Sequence, residues 1–407
     1  MPGPSCPGIV VSGGVLGAGM IEGRDVTVLG AGIAGLAVAT ALGARGARVR
    51  VLEQAPAIRE VGAGLQITPN GMAVLKALGL GEAAAGAGQV AEAVELFDGE
   101  TGQLVTRIDL LKIAPRGDFR FFHRADLIGL LEQAARAAGA DIHLDRQVTA
   151  VALGDHPPIL DTAHGKEGAG LLVGADGLHS RVRIALGGQA APFFTGQVAW
   201  RATLPAEGPI PPVARIYMGA GRHVVTYPLR GGRLRNIVAI EERAKWAEES
   251  WSLTDDPLAL RIAFESFIPE VRGWFDQIER PNLWGLFRHP VAPCWQGQGA
   301  VLLGDAAHPT LPFLAQGANM ALEDAWVLAA ELAARPGASA LAAYAAARAP
   351  RTARIVAAAN ANARNYHLSG LRRDIAHTGL RLLGRLAPNA AANRFRWLYG
   401  HDVTANG

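Results

Sequence analysis

The sequence is short of lysine and cysteine, and charged residues of either sign are few. Its 407 residues include 39 Lys or Arg and 36 Asp or Glu, so the formal charge is only +3. Only four of the basic residues are lysines, Lys76, Lys112, Lys166 and Lys245. This balance gives no reason to expect a nucleic-acid partner. Two cysteines far apart, Cys6 and Cys294, exclude a disulfide-stapled module. They favour a reducing compartment without structural disulfides, so we expect a cytoplasmic protein.

Several motifs are also absent. The chain has no HExxH and no paired CxxC, so we expect no metal. Uncharged stretches cover residues 1–21 and 26–44, but the first lacks the positive start of a signal peptide and both are broken by glycine. We therefore expect no membrane partner, and we interpret residues 1–24 as a disordered extension outside the fold.

Apolar residues and glycine are abundant instead. Half of the residues are hydrophobic, and the 50 glycines follow no collagen-like period. A chain of this length and composition can bury large cores, and it suits two packed domains or one large α/β unit. The surplus of glycine requires a structural reason.

A glycine-rich turn lies between a predicted strand and a predicted helix near the start. The predicted elements are a strand at residues 25–29, the turn Gly30-x-Gly32-x-x-Gly35, a helix to about residue 44 and a strand at 48–52. In this context the glycines permit a tight turn and a close backbone approach to a pyrophosphate at the helix N-terminus. Glu53, after the second strand, can accept hydrogen bonds from a ribose. A ligand-free turn is the alternative, and the motif alone does not separate FAD from NAD.

Two further carboxylates follow apolar strands. Asp176 lies in a Gly-Ala-Asp-Gly turn that suits a diphosphate–ribose ligand, although an ordinary Asp-Gly turn explains it equally well. Asp305 follows a strand at residues 300–304 and can bind a ribityl hydroxyl, or it can serve as a helix N-cap. The helix predicted next, at 318–334, presents free N–H groups and a positive dipole end to charge on a reduced flavin.

The pattern between these motifs changes to strands. Residues 94–109 predict two strands around an Asp98-Gly99 turn, residues 141–151 predict another strand, and strand-like runs dominate 198–240. The predicted fold is α/β (α+β), with a Rossmann-like nucleotide-binding domain interrupted by a mostly antiparallel sheet domain and followed by C-terminal helices. The predicted boundaries are 25–93, 115–185 and 282–340 for the first domain, 94–114 and 186–281 for the second, and 341–407 for the helical region.

The three motifs, in this order, resemble those of the class A flavoprotein aromatic hydroxylases, the single-component FAD monooxygenases typified by para-hydroxybenzoate and salicylate hydroxylases. The similarity extends over nearly the whole chain from Asp25, and further matching segments lie at residues 59–66, 69–70, 123–127, 199–202 and 397–402. Residues 314–324 are more similar to 3-hydroxybenzoate 6-hydroxylase and 6-hydroxynicotinate monooxygenase than to salicylate 1-hydroxylases.

The resemblance implies FAD as cofactor and NAD(P)H as co-substrate. By motif, the glycine-rich turn and Glu53 would hold the ADP half of FAD, Arg124 and Val148 would flank it, Asp305 would bind the ribityl chain, and residues 317–319 would face the isoalloxazine. The residues expected to bind FAD are Gly30, Ala31, Gly32, Ile33, Ala34, Gly35, Glu53, Gln54, Gly64, Arg124, Val148, Asp176, Asp305, Gly317, Ala318 and Asn319.

The resemblance also implies a monooxygenase activity. NAD(P)H would reduce FAD, O2 would add to it, and a flavin hydroperoxide would transfer oxygen to a small phenolic or hydroxylated heteroaromatic carboxylic acid. One alternative is an epoxidase or a quinone- or polyketide-type hydroxylase acting on a larger substrate. Another is a non-catalytic flavin-binding protein. We also expect a homodimer.

Candidates for catalysis lie in the second domain and beside the third motif. His223 can act as a base at neutral pH, or it is a surface histidine at the start of a strand. The 3-hydroxybenzoate 6-hydroxylase pattern places a histidine nearer Thr226, so His223 departs from it. Tyr227 and Gln316 can form hydrogen bonds with a phenol or a carboxylate.

Candidates for substrate binding are Arg201, Arg222 and Pro312. The two arginines can pair with a substrate carboxylate in a bidentate manner. The alternative interpretation is that both arginines are solvated on the surface, as arginine more commonly is.

Overall fold

The structure is a computed structural model that describes residues 21–58, 64–187, 192–243, 254–362, 366–386 and 394–405. Its strands are β1 Asp25–Leu29, β2 Arg48–Leu52, β3 Gly64–Ile67, β4 Gln89–Val90, β5 Ala93–Asp98, β6 Leu104–Asp109, β7 Arg120–His123, β8 Asp141–His143, β9 Val148–Ala152, β10 Ile159–Thr162, β11 Gly165–Gly168, β12 Leu171–Gly174, β13 Phe193–Pro205, β14 Val213–Gly219, β15 Arg222–Leu229, β16 Leu234–Glu242, β17 Asn282–Arg288, β18 Gln296–Gly297 and β19 Ala300–Leu302. Its α-helices are α1 Ile33–Gly43, α2 Pro69–Ala77, α3 Gly81–Ala87, α4 Leu110–Ile113, α5 Arg124–Ala137, α6 Arg181–Ala185, α7 Pro257–Ala263, α8 Pro269–Asp276, α9 Gly317–Ala334, α10 Gly337–Asn362, α11 Gly370–Leu386 and α12 Arg396–Tyr399.

A six-stranded, mainly parallel sheet forms the centre of the nucleotide half. Its strand order is β18-β19-β12-β1-β2-β8, and β1 pairs in parallel with both β2 and β12. Helix α1 is apolar on every side, and it is buried almost throughout because it packs between this sheet, α5 and α9. The predicted strand–turn–helix–strand order at the start of the chain is confirmed.

A seven-stranded sheet forms the substrate half, with the order β17-β13-β16-β15-β14-β5-β6. All pairs are antiparallel except β14 with β5. One face packs against α7 and α8 around Phe264 and Trp274. The other face borders a cavity. The predicted α/β class with a mostly antiparallel second sheet is confirmed.

Three predicted boundaries differ from the structure. Strand β17 pairs with β13 in the substrate sheet, although the sequence assigned residues 282–288 to the nucleotide domain. The single strand predicted at 141–151 is two strands, because β8 pairs with β2 while β9 pairs with β10 in a separate sheet. Ile21 is buried in the core, so the extension predicted to end at residue 24 ends earlier; residues 1–20 lie outside the described residues.

The C-terminal region is helical where it is described. Helix α10 begins at residue 337, slightly before the predicted start at 341, and packs along α9. Helix α11 lies over β6, and its Arg373 pairs at 2.9 Å with Glu100 in the turn before that strand. None of the described helices combines the length and apolarity that a membrane span requires. The prediction that the two cysteines form no structural disulfide depends on Cys6, which lies outside the described residues.

Candidate flavin and substrate site

The glycine-rich turn leaves no room for side chains at two of its positions. Gly30 has φ +96°, and a Cβ on it would lie 2.5 Å from the Ala175 oxygen. A Cβ on Gly35 would lie 1.9 Å from the Gly30 oxygen. Next to Gly32, in contrast, the space is open at the start of α1, where the described first turn has neither a side-chain cap nor an acidic residue. An open, uncapped helix N-terminus suits a phosphate.

The Glu53 carboxylate is tied to this turn. Its Oε2 accepts a hydrogen bond from the Ala31 N–H at 2.7 Å, and its Oε1 accepts one from the Ala55 N–H at 2.9 Å. Glu53 therefore fixes the path of the turn. Each carboxylate oxygen retains a further lone pair, so the group is still able to accept a ribose hydroxyl. Gln54 beside it is exposed.

Asp176 caps a helix. Its Oδ2 accepts hydrogen bonds from the N–H groups of Arg181 at 2.7 Å and Val182 at 3.4 Å, at the start of α6. Burial raises the pKa of Asp176, and hydrogen bonds from the Ser180 side chain and from these N–H groups oppose the rise. The side chain does not line the cavity. The prediction that Asp176 binds the cofactor is therefore not supported by its placement, because its carboxylate serves the turn behind Gly30.

A cavity of about 1090 Å³ runs from the glycine-rich turn to the substrate sheet. The predicted cofactor residues that line it are Gly32, Ile33, Ala34, Gly64, Arg124, Asp305, Gly317 and Ala318. The predicted catalytic and substrate residues that line it are Arg201, His223, Tyr227, Pro312 and Gln316. One continuous space therefore joins the two halves of the molecule.

Asp305 and Arg124 face this cavity from its nucleotide side. Asp305 is exposed at the cavity wall, in the short helical turn between β19 and α9. The cavity walls withdraw it from bulk water and so raise the pKa of Asp305, while the charges of His308 and Arg124 oppose this rise. A carboxylate and a cation at one end of the cavity match the hydroxyls and phosphates of a dinucleotide.

The start of α9 is anchored by the Asn319 side chain. Its Oδ1 accepts a hydrogen bond from the Thr68 N–H at 2.9 Å, and its Nδ2 donates to the oxygens of Gln66 at 3.0 Å and Ala315 at 2.7 Å. These three hydrogen bonds occupy the side-chain amide. Gly317 and Ala318 line the cavity, and for Asn319 the expectation that it faces the isoalloxazine stays a prediction. The position of the Asn319 side chain fixes the first turn of α9, whose N–H groups have no acceptor within the helix.

Gln316 is held in the same network. Its Nε2 lies 3.1 Å from the Thr68 hydroxyl, and its Oε1 accepts a hydrogen bond from Asn70 at 3.1 Å. Asn70 also donates to Glu323 at 2.6 Å. Gln316 lines the cavity, but with both ends of its amide occupied it acts chiefly in positioning the loop before α9.

A buried ionic cluster lies behind α9; we call its members Glu323, Asp324 and Arg348 the acidic–arginine cluster. The Arg348 guanidinium lies 2.5 Å from Glu323 and 2.7 Å from Asp324. Asp324 Oδ2 accepts a hydrogen bond from the Gly304 N–H at 3.0 Å and lies 2.5 Å from His308 Nε2. Burial alone would raise the pKa of Asp324, but His308 and Arg348 lower it to about 2. The cluster therefore carries charge at neutral pH.

His223 and Tyr227 project from β15 into the cavity on the opposite wall. His223 is 1% exposed, so the alternative of a surface histidine is wrong. Burial, reinforced by the charge of His367, places the pKa of His223 well below its usual value. Tyr227 stacks on Phe121 at 4.9 Å between ring centres, and burial raises the pKa of its hydroxyl. At neutral pH, His223 is thus a neutral base and Tyr227 a hydrogen-bond donor.

Gly64 lies directly against this wall. Its N–H donates to the Asn236 Oδ1 at 2.7 Å, and a Cβ on Gly64 would lie 2.6 Å from the Tyr227 ring. Only glycine permits this contact between β3 and β15.

The two candidate arginines lie on opposite faces of the sheet. Arg201 lines the cavity, with its guanidinium 4.1 Å from the centre of the Trp284 ring. Arg222 points away, because adjacent residues of a strand face opposite sides. Its guanidinium donates to the backbone oxygens of Ala263 and, at 3.2 Å, Ala220. The prediction that Arg222 binds substrate is therefore wrong.

Sequence reasoning missed the groups behind His223. His367 Nε2 lies 2.7 Å from His223 Nδ1, and Glu242 Oε1 lies 2.7 Å from His367 Nδ1. No local pattern marks His367 or Glu242, which are 125 positions apart. Asn70, which bonds to Gln316 and Glu323, lies in one of the segments that resemble the family, but the sequence alone assigned it no role.

Taken together, the open helix N-terminus at Gly32, the cavity-facing pair Arg124 and Asp305, and the start of α9 fit an FAD that extends along one side of the cavity. The substrate sheet forms the other side. This combination defines a flavin-dependent oxidoreductase in which a second, antiparallel sheet domain encloses the reacting end of the cofactor.

Comparison with known proteins gives the same class. The chain matches the model of the FAD binding domain family over residues 24–359 and belongs to that family. It is 38% identical to 3-amino-4-hydroxybenzoate 2-monooxygenase of Streptomyces cremeus, covering 85% of this chain and 89% of that protein. It is 34% identical to 3-hydroxybenzoate 6-hydroxylase of Polaromonas naphthalenivorans, covering 93% of this chain and 96% of that protein.

A solved structure extends the likeness to three dimensions. Klebsiella pneumoniae HpxO, complexed with FAD and uric acid, superposes with a TM-score of 0.80 at 25% identity, covering 91% of this chain and 96% of that one. The resemblance to FAD-dependent aromatic hydroxylases is thus confirmed, and with it the enzyme class, a FAD-dependent monooxygenase.

Proposed function

We propose that this enzyme uses NAD(P)H and O2 to hydroxylate a small phenolic or hydroxylated heteroaromatic carboxylic acid. The observation that carries the proposal is the buried, neutral His223 on a cavity wall that faces the flavin side. Bound FAD would supply the electron transfer from NAD(P)H and the activation of O2. Relatives whose names record 3-hydroxybenzoate and 3-amino-4-hydroxybenzoate as substrates support the same class.

Each polar group on the substrate wall has a role in this reaction. His223 accepts the proton of the substrate hydroxyl, which makes the ring electron-rich. Arg201 pairs with the substrate carboxylate, and the protonated Tyr227 hydroxyl donates a hydrogen bond to the substrate. Pro312 and the apolar side chains of the sheet exclude water and hold the ring in place.

The residues proposed to hold FAD follow from position. Gly30, Gly32 and Gly35 admit the pyrophosphate, Glu53 accepts the ribose hydroxyls, and Asp305 binds the ribityl chain. Ala31, Ile33, Ala34 and Gly64 contribute backbone beside it, and Arg124, Gly317 and Ala318 line its path. Gln54 and Val148 belong to the same proposal at the adenine end.

A cytoplasmic location and a homodimer are also part of the proposal, and light scattering of the holoenzyme tests the dimer.

A product screen tests the reaction. The holoenzyme is incubated with NADH or NADPH and with 3-hydroxybenzoate, 3-amino-4-hydroxybenzoate or uric acid, and mass spectrometry detects products with one added oxygen atom. We expect a hydroxylated product from a phenolic acid. Product from uric acid alone would favour a larger heteroaromatic substrate, and NAD(P)H consumption without any product would overturn the proposal.

A variant tests the base. His223→Asn removes the proton acceptor at similar size, and we expect kcat to fall about a hundredfold or more while FAD remains bound. His164→Asn, in an exposed turn away from the cavity, is the matched control and should leave kcat unchanged. Wild-type turnover in His223→Asn would assign the base elsewhere.

A further inference from the structure

His223 is the inner end of a chain of three titratable groups that leads from the cavity to solvent. Its Nδ1 lies 2.7 Å from His367 Nε2, and His367 Nδ1 lies 2.7 Å from Glu242 Oε1. The two imidazole rings are 4.9 Å apart between centres. Both distances are those of charge-assisted or strong neutral hydrogen bonds.

Exposure rises along this chain. His223 lines the cavity and is 1% exposed, and the His367 side chain is 3% exposed. The Glu242 side chain, at the end of β16, is 53% exposed. The three groups therefore connect the cavity wall at His223 with bulk water through two buried rings.

The carboxylate sets the protonation pattern of both rings. An ionised Glu242 only accepts hydrogen bonds, so His367 must carry its proton on Nδ1 and present a lone pair at Nε2. His223 then donates from Nδ1 to His367 Nε2. This leaves the lone pair of His223 on Nε2, the remaining ring nitrogen at the cavity wall, where it can accept a proton from a substrate.

The groups around His223, His367 and Glu242 favour proton transfer from one to the next. The ring centres of Phe313 and Tyr366 lie 6.0 and 5.1 Å from the His223 ring centre, so aromatic rings pack beside the base. The charged neighbours of His367 are Glu242 and Arg222. Gln197 Nε2 lies 3.3 Å from His367 Nδ1, farther than the 2.7 Å to Glu242 Oε1, so Glu242 is the partner that decides the Nδ1 proton. Because burial disfavours a charged His223, a proton taken from substrate must leave that ring quickly.

We propose that His367 and Glu242 relay to solvent the proton that His223 removes from the substrate hydroxyl. The inference rests on the proposed function. The substrate O–H bond breaks as an N–H bond forms at His223 Nε2, the Nδ1 proton of His223 passes to His367 Nε2, and the Nδ1 proton of His367 passes to Glu242, which releases a proton to water. No electrons are transferred. The reverse sequence returns a proton to the product oxygen and restores both rings.

Proton release measured during substrate binding tests the relay. Holoenzyme is mixed by stopped flow with whichever of 3-hydroxybenzoate and 3-amino-4-hydroxybenzoate gives product, in weak buffer with a pH indicator. Glu242→Gln removes the exposed end of the chain without touching the core, and His367→Asn removes its middle. Glu241→Gln, on the neighbouring residue that instead bonds to Arg243 at 2.9 Å, is the matched control.

We expect wild type and Glu241→Gln to release protons at the same rate. Glu242→Gln should release them about tenfold more slowly, with the dissociation constant of the phenolic acid nearly unchanged. Increasing the formate buffer concentration should restore the rate in Glu242→Gln, because formate replaces the missing carboxylate. His367→Asn should be slower still.

The possible results separate the relay from the reaction. No hydroxylated product from the wild type with either acid would overturn the proposed function and the relay together. Product from the wild type, with unchanged proton release in Glu242→Gln, would overturn the relay alone. A lower thermal stability in Glu242→Gln without any dependence on formate would likewise assign these groups a structural role and reject the relay.

Discussion

The two sides of the cavity satisfy their buried polar groups in different ways. On the nucleotide side, Asp324 is surrounded by Arg348, His308 and the Gly304 N–H, so the acidic–arginine cluster is closed. On the substrate side, the chain from His223 is open at both ends, to the cavity and, through Glu242, to water. A closed cluster fixes geometry because none of its members can change partner at low cost, whereas an open chain can exchange protons.

Breaking the closed cluster should have the largest effect. Arg348→Met takes away the cation that the buried Glu323 and Asp324 share and leaves them only Arg351 and His308, respectively. We expect it to lower the free energy of unfolding by about 3–5 kcal/mol in urea titrations of the holoenzyme. The control is Arg335→Met, which removes an exposed pair with Glu331 and should cost at most about 1 kcal/mol. Equal stability of the two variants would show that the cluster is not a structural centre.

Filling the glycine-rich turn should have the next largest effect. Gly35→Ala places a methyl group 1.9 Å from the Gly30 oxygen. We expect a loss of about 1–3 kcal/mol in FAD binding, measured by flavin fluorescence on titration of the apoprotein. Gly129→Ala, at a helical glycine with open space around it, should bind FAD like wild type. Normal FAD binding by Gly35→Ala would place the cofactor elsewhere.

The two faces of the substrate sheet should respond differently to loss of an arginine. Arg201→Met removes a cation that lines the cavity, so we expect the KM for the phenolic acid to rise about tenfold with a smaller change in kcat. Arg222→Met removes a cation on the opposite face and should leave KM within about twofold of wild type. Steady-state kinetics of both variants decide the assignment, which a larger effect of Arg222→Met on KM would reverse.

The two sides of the cavity should lose their contributions to the free energy of unfolding in separate pH ranges as the pH falls. The folded pKa of His223 lies well below 6.5, so below that pH the unfolded chain binds more protons and the free energy of unfolding falls. The pKa of Asp324 is about 2 against an ordinary 3.8, so its contribution is retained above pH 3.8 and lost as the pH falls towards 2. His223→Asn should therefore flatten the slope below about pH 6.5, by at most about 1.4 kcal/mol per pH unit.

Urea unfolding at a series of pH values measures this slope. His164→Asn serves again as the control and should follow wild type. A slope in His223→Asn that matches wild type would mean that other groups account for the acid sensitivity in this range.

The nucleotide side was readable from the sequence because its determinants are local. The turn from Gly30 to Gly35 and the strands beside it lie within about thirty residues, and steric needs select glycine there. The contacts of Asn319 were not readable, since the sequence shows an amide at a helix start but not that its side chain bonds to Thr68, 251 positions away.

The substrate side was less readable because its groups meet across the fold. His367 comes to His223 from 144 positions away, and nothing in the residues around either histidine records that contact. One error could have been avoided. Arg222 and His223 are neighbours on a strand, and strand alternation excludes that both face one cavity. Tyr227 lies four residues after His223 on β15, and strand alternation correctly places both side chains on the same face of the sheet.

The parallel sheet has a consequence for how the enzyme is made. Its central strand β1 pairs with β12, and β12 pairs in turn with β19 at residues 300–302, so the sheet is assembled from distant parts of the chain. During synthesis, the wall beside the glycine-rich turn cannot close until about three-quarters of the protein has left the ribosome. Such long-range pairing slows folding and exposes strand edges to aggregation. We therefore expect FAD to bind only after the parallel sheet has formed. Flavin absorbance in a preparation of newly synthesised protein would then report molecules whose nucleotide half is folded.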